Sequence, residues 1–311
     1  MMDWPQYFFT ASFLKRIAHE MGDRFSRGEL LGPLSDFASF IERAHGSIYV
    51  DTKNLELHDS PYLRKWFTES DKRLSPYVLP EGVPSNPQIV QMNAAANFDS
   101  TFTDTFSRSE IASLEQTVKC PIFNYDLIIE KWASISGRQS VSIAEASDFQ
   151  WKDFLQKYIL CTSQILICDK YLMKSVKNVK QNLIPILSAC LHLSNAETQI
   201  TIVSHSDVKS EVLEAIQENS PEGSKVTLVI VDSPNAIADH DRRLVTDQLR
   251  MNIPGGFDLI DGKGKVKTGK STEVPITSFY SGEKDSYKSI IDARERIMKI
   301  IQKQHLNTFR V

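Results

Sequence analysis

Three apolar segments dominate the second half of the chain: "SQILICD" (163–169), "TQITIVSHSD" (198–207) and "KVTLVIVDS" (225–233). Each is short, rich in β-branched residues and apolar at consecutive positions, the pattern of strands covered on both faces. Helical stretches separate them, one from Tyr171 to about Leu193 and one over 208–219 with Asp207 at its cap. A run of this kind predicts a parallel sheet with helices on both sides. Open α/β sheets place ligands beyond the C-terminal ends of such strands. Asp169 closes the first strand, in a direct, an orienting or a structural role. His205 ends the second, either as an imidazole facing a ligand or as a neighbour of the Ser206/Asp207 helix cap.

Beyond the third strand the alternation changes. Segments 242–247, 255–260 and 273–280 read as strands with no helix between them. A last amphipathic helix over 285–304 repeats Ile290, Ile291, Ile297 and Ile300/Ile301 at helical spacing. The chain has 311 residues, which predicts two domains. Its seams are the proline-containing stretch 79–88 and the polar stretch 136–148, giving a mixed α/β N-terminal domain (1–148) and a second domain (149–311). In the first, Leu34, Phe37, Phe40 and Ile41 form a helical stripe and 46–51 reads as a short strand. The segments "SPYLRKWFTES" and "ASLEQTVKC" read as helices, and "CPIFNYDLIIEKWASI" as a strand running into a helix. None of these patterns converts to an activity.

Lys plus Arg total 36 against 39 Asp plus Glu, so no global basic field announces a nucleic-acid binder and local patches carry the electrostatic argument. The four cysteines (Cys120, Cys161, Cys168, Cys190) lie in or beside apolar runs with no CxxC pair, which predicts buried reduced thiols. His45 and His58, with Asp51 and Asp59, fit no familiar ligand spacing, so neither a metal nor a cofactor is expected. The opening "MMDWPQYFFTASFLKR" carries Asp3 and Pro5 early, unlike a signal peptide, and the longest apolar windows are too short to span a bilayer. The expected location is cytoplasmic.

Residues 264–271, "GKVKTGKS", match the phosphate-loop pattern G-x-x-x-x-G-K-[ST]. That motif works only where a helix follows, so that amides at its N-terminus converge on phosphate. Here "TEVPITSFY" follows, a strand with Pro275 inside it, and the match is discounted. Lys263, Lys265, Lys267 and Lys270 instead read as a flexible basic hairpin that attracts polyanions or simply stays solvated.

In "HDRRLVTD" (240–247), His240, Arg242 and Asp247 fall at offsets 0, 2 and 7. Offsets 0 and 2 on a strand share a face, so His240 and Arg242 can address one phosphate. This spacing resembles the HxKxxxxD motif of the phospholipase D superfamily, with Arg for Lys. The likeness covers residues 150–311 and includes the "ILICDKYL" opening strand and the "GGFD" segment at 255–258. It is similar in organisation to small phospholipase D-like domains of prokaryotic nuclease and anti-phage defence proteins and of MIT-type proteins. The resemblance implies an αβα domain with a mixed, mainly parallel sheet.

It also implies a metal-independent phosphodiesterase or nuclease. His240 would form a phosphohistidine or act as the acid, Arg242 would hold phosphate and Asp247 would support them. Arg in place of Lys binds phosphate well but presents its charge differently. A single motif requires a homodimer to supply two imidazoles, and "GGFD" stands where Gly-Ser-x-Asn usually follows. Three readings stay open: a nuclease, a non-catalytic module that grips nucleic-acid backbone or a phospholipid headgroup, and a protein-interaction module whose N-terminal half contacts a partner.

Overall fold

The computed structural model describes residues 5–43, 46–51, 60–69, 74–77, 98–115, 118, 120–136, 140–193, 198–219, 225–238, 242–304 and 307–310. It divides into two compact units, 1–136 with 279–284 and 137–278 with 285–311.

Unit 1 is built on a wholly parallel sheet of β1 (Gln6–Thr10), β2 (Ser47–Asp51), β3 (Leu74–Pro76), β4 (Ser100–Phe102) and β5 (Ile122–Phe123), in the order β3-β2-β1-β4-β5. The helices Ala11–Ser26, Pro33–Arg43 and Tyr125–Ile135 bury an aromatic core with it. The first is capped by Thr10, whose Oγ1 accepts from the Phe13 amide, and the third by Asn124, which accepts from the Leu127 amide. Phe9 stacks on Phe102 with centroids 4.3 Å apart, and Phe37, Phe40 and Trp132 close around them. The expected stripe of Leu34, Phe37, Phe40 and Ile41 is the buried face of the second helix. Tyr280, reached late in the chain, completes this core and shares a 2.7 Å hydroxyl hydrogen bond with Ser100.

Unit 2 holds β6 (Val141–Ile143), β7 (Gln164–Cys168), β8 (Gln199–His205), β9 (Val226–Val231), β10 (Arg243–Thr246), β11 (Leu249–Asn252), β12 (Thr272–Val274), β13 (Ile276–Ser278) and β14 (Thr308–Arg310). Its main sheet runs β13-β11-β10-β7-β8-β9-β14. Only β7, β8 and β9 are mutually parallel, and the strands outside them pair antiparallel. The α/β class stands, with the longer parallel sheet in unit 1 and a mixed sheet in unit 2.

Several local expectations change for identifiable reasons. Residues 137–148 belong to unit 2 because β6 pairs with β12. Segment 273–280 is two strands in different sheets, parted at Pro275, which has no N–H to continue a ladder. Segment 255–260 is a loop whose Phe257 and Leu259 are buried like strand residues. The cap at 208–219 is absent: Asp207 pairs with His205, while Ser206 Oγ accepts from the Val208 amide. All four cysteines are buried and outside any disulfide, and burial pushes the Cys120 and Cys190 thiols up to about 12. Among the described residues no helix is long and apolar enough to cross a membrane.

Candidate functional site

β7 is central in the unit 2 sheet, flanked by β10 and β8, so the residue after it emerges at the middle of the sheet's edge. That residue is Asp169, 1% exposed. Its Oδ1 accepts from the Tyr171 amide at 2.7 Å and its Oδ2 from the Phe257 amide at 2.8 Å. Burial pushes its carboxyl above the ordinary carboxylate range, while the two amides and the Arg242 guanidinium pull the other way.

Arg242 enters β10 beside it. Gly256, at φ +80°, allows the approach: a Cβ there would lie 2.9 Å from Asp169 Oδ2 and 3.2 Å from Arg242 Nη1. The "GGFD" segment is therefore a backbone saddle that joins the end of β7 to Arg242. Arg242 Nη1 also donates to the Pro254 carbonyl at 3.4 Å.

Tyr171 stands at the centre of the positive charge. Arg242 Cζ lies 5.6 Å from its ring centroid, and the Lys170 and Lys174 ammoniums each lie 5.5 Å away. The negative face of the ring offsets part of the repulsion among these cations. Around it opens a cleft of about 580 Å³ that places Lys174, Lys177, Arg242, Lys267 and Lys270 against two carboxylates, Asp258 and Asp261. Asp258 holds Lys270 at 2.7 Å and Lys267 at 3.7 Å. Lys270 also donates to the Gly255 carbonyl at 2.8 Å.

The basic segment after Asp261 is tied down. Asp261 Oδ1 accepts from the amides of Lys263 (2.8 Å) and Lys265 (3.0 Å), and those bonds lower its pKa. Val266 donates to Ser147 O, and Gly269 donates to Glu145 Oε2. β12 begins at Thr272, directly after the phosphate-loop look-alike, so no helix N-terminus follows it. Lys267 and Lys270 line the cleft, whereas Lys265 reaches towards Asp148 at 3.8 Å and Lys263 does not line it.

The other expected site residues disperse. Asp247 sits at the opposite end of β7. Its Oδ2 accepts from the Ser163 amide (2.6 Å), Ser163 Oγ (2.8 Å), Thr162 Oγ1 (2.9 Å) and the Gln164 amide (3.2 Å). Because β10 runs antiparallel to β7, with Arg243 opposite Cys168 and Thr246 opposite Ile165, the residues flanking β10 lie at opposite sheet edges. The four residues of β10 lie between Arg242 and Asp247, so five steps along the strand set them roughly 17 Å apart. Asp247 is thus a clamp on the start of β7.

His205 borders a neighbouring cavity of about 430 Å³ that shares Tyr171 and Lys174 with the cleft. Its ring nitrogens lie 3.0 Å from Val231 O and 3.0 Å from Asp207 Oδ1. His240 lies outside the described residues, as do His45, His58 and Asp59.

The sequence reading overlooked Tyr171, Lys174 and Lys177. The signal was available in "DKYLMKSVKN", where a tyrosine and lysines at helical spacing follow directly on the strand-terminal Asp169. No known protein-family model matches this chain, and no curated protein does.

Proposed function

We propose that unit 2 is a phospholipase D-like module that grips the phosphodiester backbone of a nucleic acid in the Tyr171 cleft. The observation that carries this reading is the convergence of five cationic side chains from three separate segments on one cleft holding two carboxylates. Phosphate binding by such a surface releases counterions and is sequence-independent. Arg242 presents a guanidinium suited to two oxygens of one phosphate, and Lys174 and Lys177 extend the charge along the backbone path.

The resemblance adds a catalytic expectation. His240, two residues before Arg242, would attack phosphorus through a ring nitrogen and displace the leaving oxygen. A second imidazole, from a second copy of the chain, would protonate that oxygen, and water would then hydrolyse the phosphohistidine. The buried Asp169 stands where a carboxylate can steady Arg242, the role that the motif spacing had suggested for Asp247.

Incubation of labelled single- and double-stranded DNA and RNA in EDTA, with wild type, His240→Ala and Lys267→Ala, separates the possibilities. Cleavage lost in His240→Ala assigns a nuclease. Retarded bands without cleavage, weakened by Lys267→Ala, assign a grip without turnover. The absence of both cleavage and retardation overturns the proposal.

A further inference from the structure

Arg242 and Arg243 are consecutive, so they leave β10 towards opposite faces of the sheet. Arg242 enters the Tyr171 cleft, while Arg243 lines a separate cavity of about 350 Å³ against the helix Lys284–Lys303. Arg250 and Asn252 on β11 project into the same cavity, as the pairing of Arg243 with Asn252 and Val245 with Arg250 requires. From the helix come Asp285, Lys288, Ser289, Asp292 and Arg296. Four cations therefore face two carboxylates in a small space, apart from the cleft already described.

Two observations single out Arg250 and Asn252 within this cluster. Arg250 and Asn252 bury polar atoms, Nε and Oδ1, that find no hydrogen-bond partner there, although Arg250 Nη1 reaches Ser289 Oγ. Burial together with the positive charges of Arg243 and Arg296 lowers the Arg250 pKa. Guanidiniums held this close repel one another unless an anion lies between them.

We infer that this cavity is a binding site for a doubly charged phosphoryl group, held between Arg243, Arg250 and Arg296 with Lys288 at the rim. The four cations of the lining outnumber its two carboxylates, which suits an anionic group. Asn252 Oδ1 accepts from a donor next to the phosphate, such as a protonated phosphate oxygen or a sugar hydroxyl. A volume of about 350 Å³ suits a ligand of pyrophosphate or mononucleotide size. The inference is independent of the Tyr171 cleft, because the two sites share no lining residue.

Isothermal titration of the full chain with pyrophosphate tests it, with a 5′-phosphorylated dinucleotide and its unphosphorylated form separating a small ligand from a nucleic-acid end. Arg296 and Lys288 are exposed, so Arg296→Ala and Lys288→Ala leave the core intact, and Arg250→Met keeps the volume of the half-buried side chain. Pyrophosphate or the phosphorylated dinucleotide binds wild type, and Arg296→Ala and Arg250→Met each weaken it by about tenfold. Lys174→Ala/Lys177→Ala, in the other cleft, leaves that affinity unchanged. Three results overturn the inference: no binding of either phosphorylated probe, binding indifferent to Arg296→Ala and Arg250→Met, or binding lost in Lys174→Ala/Lys177→Ala. The last would place the anion in the Tyr171 cleft and leave the proposed function standing.

Discussion

Gly256 is the residue on which the cleft depends most narrowly. Its φ of +80° is costly for any residue with a Cβ, and the space is taken by Asp169 and Arg242. Gly256→Ala is expected to destabilise unit 2 by at least about 1–2 kcal/mol from backbone strain alone, and to displace Arg242. Chemical denaturation, with nucleic-acid affinity measured on the folded fraction, checks both effects. Asp247 gives the opposite profile. Asp247→Ala leaves the amides of Ser163 and Gln164 without their shared acceptor and is expected to cost on the order of 2–3 kcal/mol. Affinity for nucleic acid should stay unchanged at temperatures where the variant remains folded. Reduced affinity in that folded variant would bring Asp247 back into the site. The sequence offered His240, Arg242 and Asp247 as one constellation because spacing along a strand records which face a side chain takes. Once 243–246 is an extended strand, the same spacing sets Asp247 roughly 17 Å from Arg242.

Among the elements, β7, β8 and β9 were legible because their apolar runs have no other use than a doubly covered sheet. β1 was not, since "QYFFT" runs straight into the helix Ala11–Ser26 and blurs both periods. Segment 255–260 imitated a strand because loop residues Phe257 and Leu259 fill the core, and Phe257 stacks on Trp151 at 5.6 Å. Lys174 and Lys177 escaped notice for another reason: lysines at helical spacing ordinarily mark a solvated face, and only the fold turns them towards Arg242. In unit 1 the segment joining the helix Arg108–Leu114 to β5 carries a titration signal. Glu115 is half-buried, accepts from the Ile122 amide at 3.0 Å, and has its carboxyl pushed up to about 7 by desolvation. The folded chain therefore binds this proton more tightly than the unfolded chain, whose Glu titrates near 4.5. Stability of unit 1 should fall as pH rises from about 4.5 through 7, by on the order of 3 kcal/mol. Glu115→Gln should flatten that slope in denaturation curves collected across the range; an unchanged slope would assign it to other groups.

At the scale of the whole molecule, the chain enters unit 2 after residue 136, returns to unit 1 for 279–284 and leaves again at 285. The returning segment brings Tyr280, fully enclosed by Phe40, Phe123 and Trp132, into the unit 1 core. A chain cut to 1–136 lacks that ring, and loss of a buried aromatic side chain costs about 3–5 kcal/mol. Such a fragment should melt without a cooperative transition in circular dichroism, whereas a cooperative melt would show that Tyr280 is dispensable. A net charge of −3 hides a cleft with five cations, so the proposed grip on nucleic acid would rest on one locality and should respond sharply to salt. The most direct test is the fluorescence anisotropy of a labelled single-stranded oligonucleotide titrated with the full chain at several salt concentrations. With four or five phosphates engaged, log affinity should fall against log salt with a slope of about −3, and Lys174→Ala/Lys177→Ala should make it shallower by about 1.4. Absence of binding at low salt, or a slope that the double substitution leaves unchanged, would contradict the assignment of the Tyr171 cleft as a phosphodiester grip.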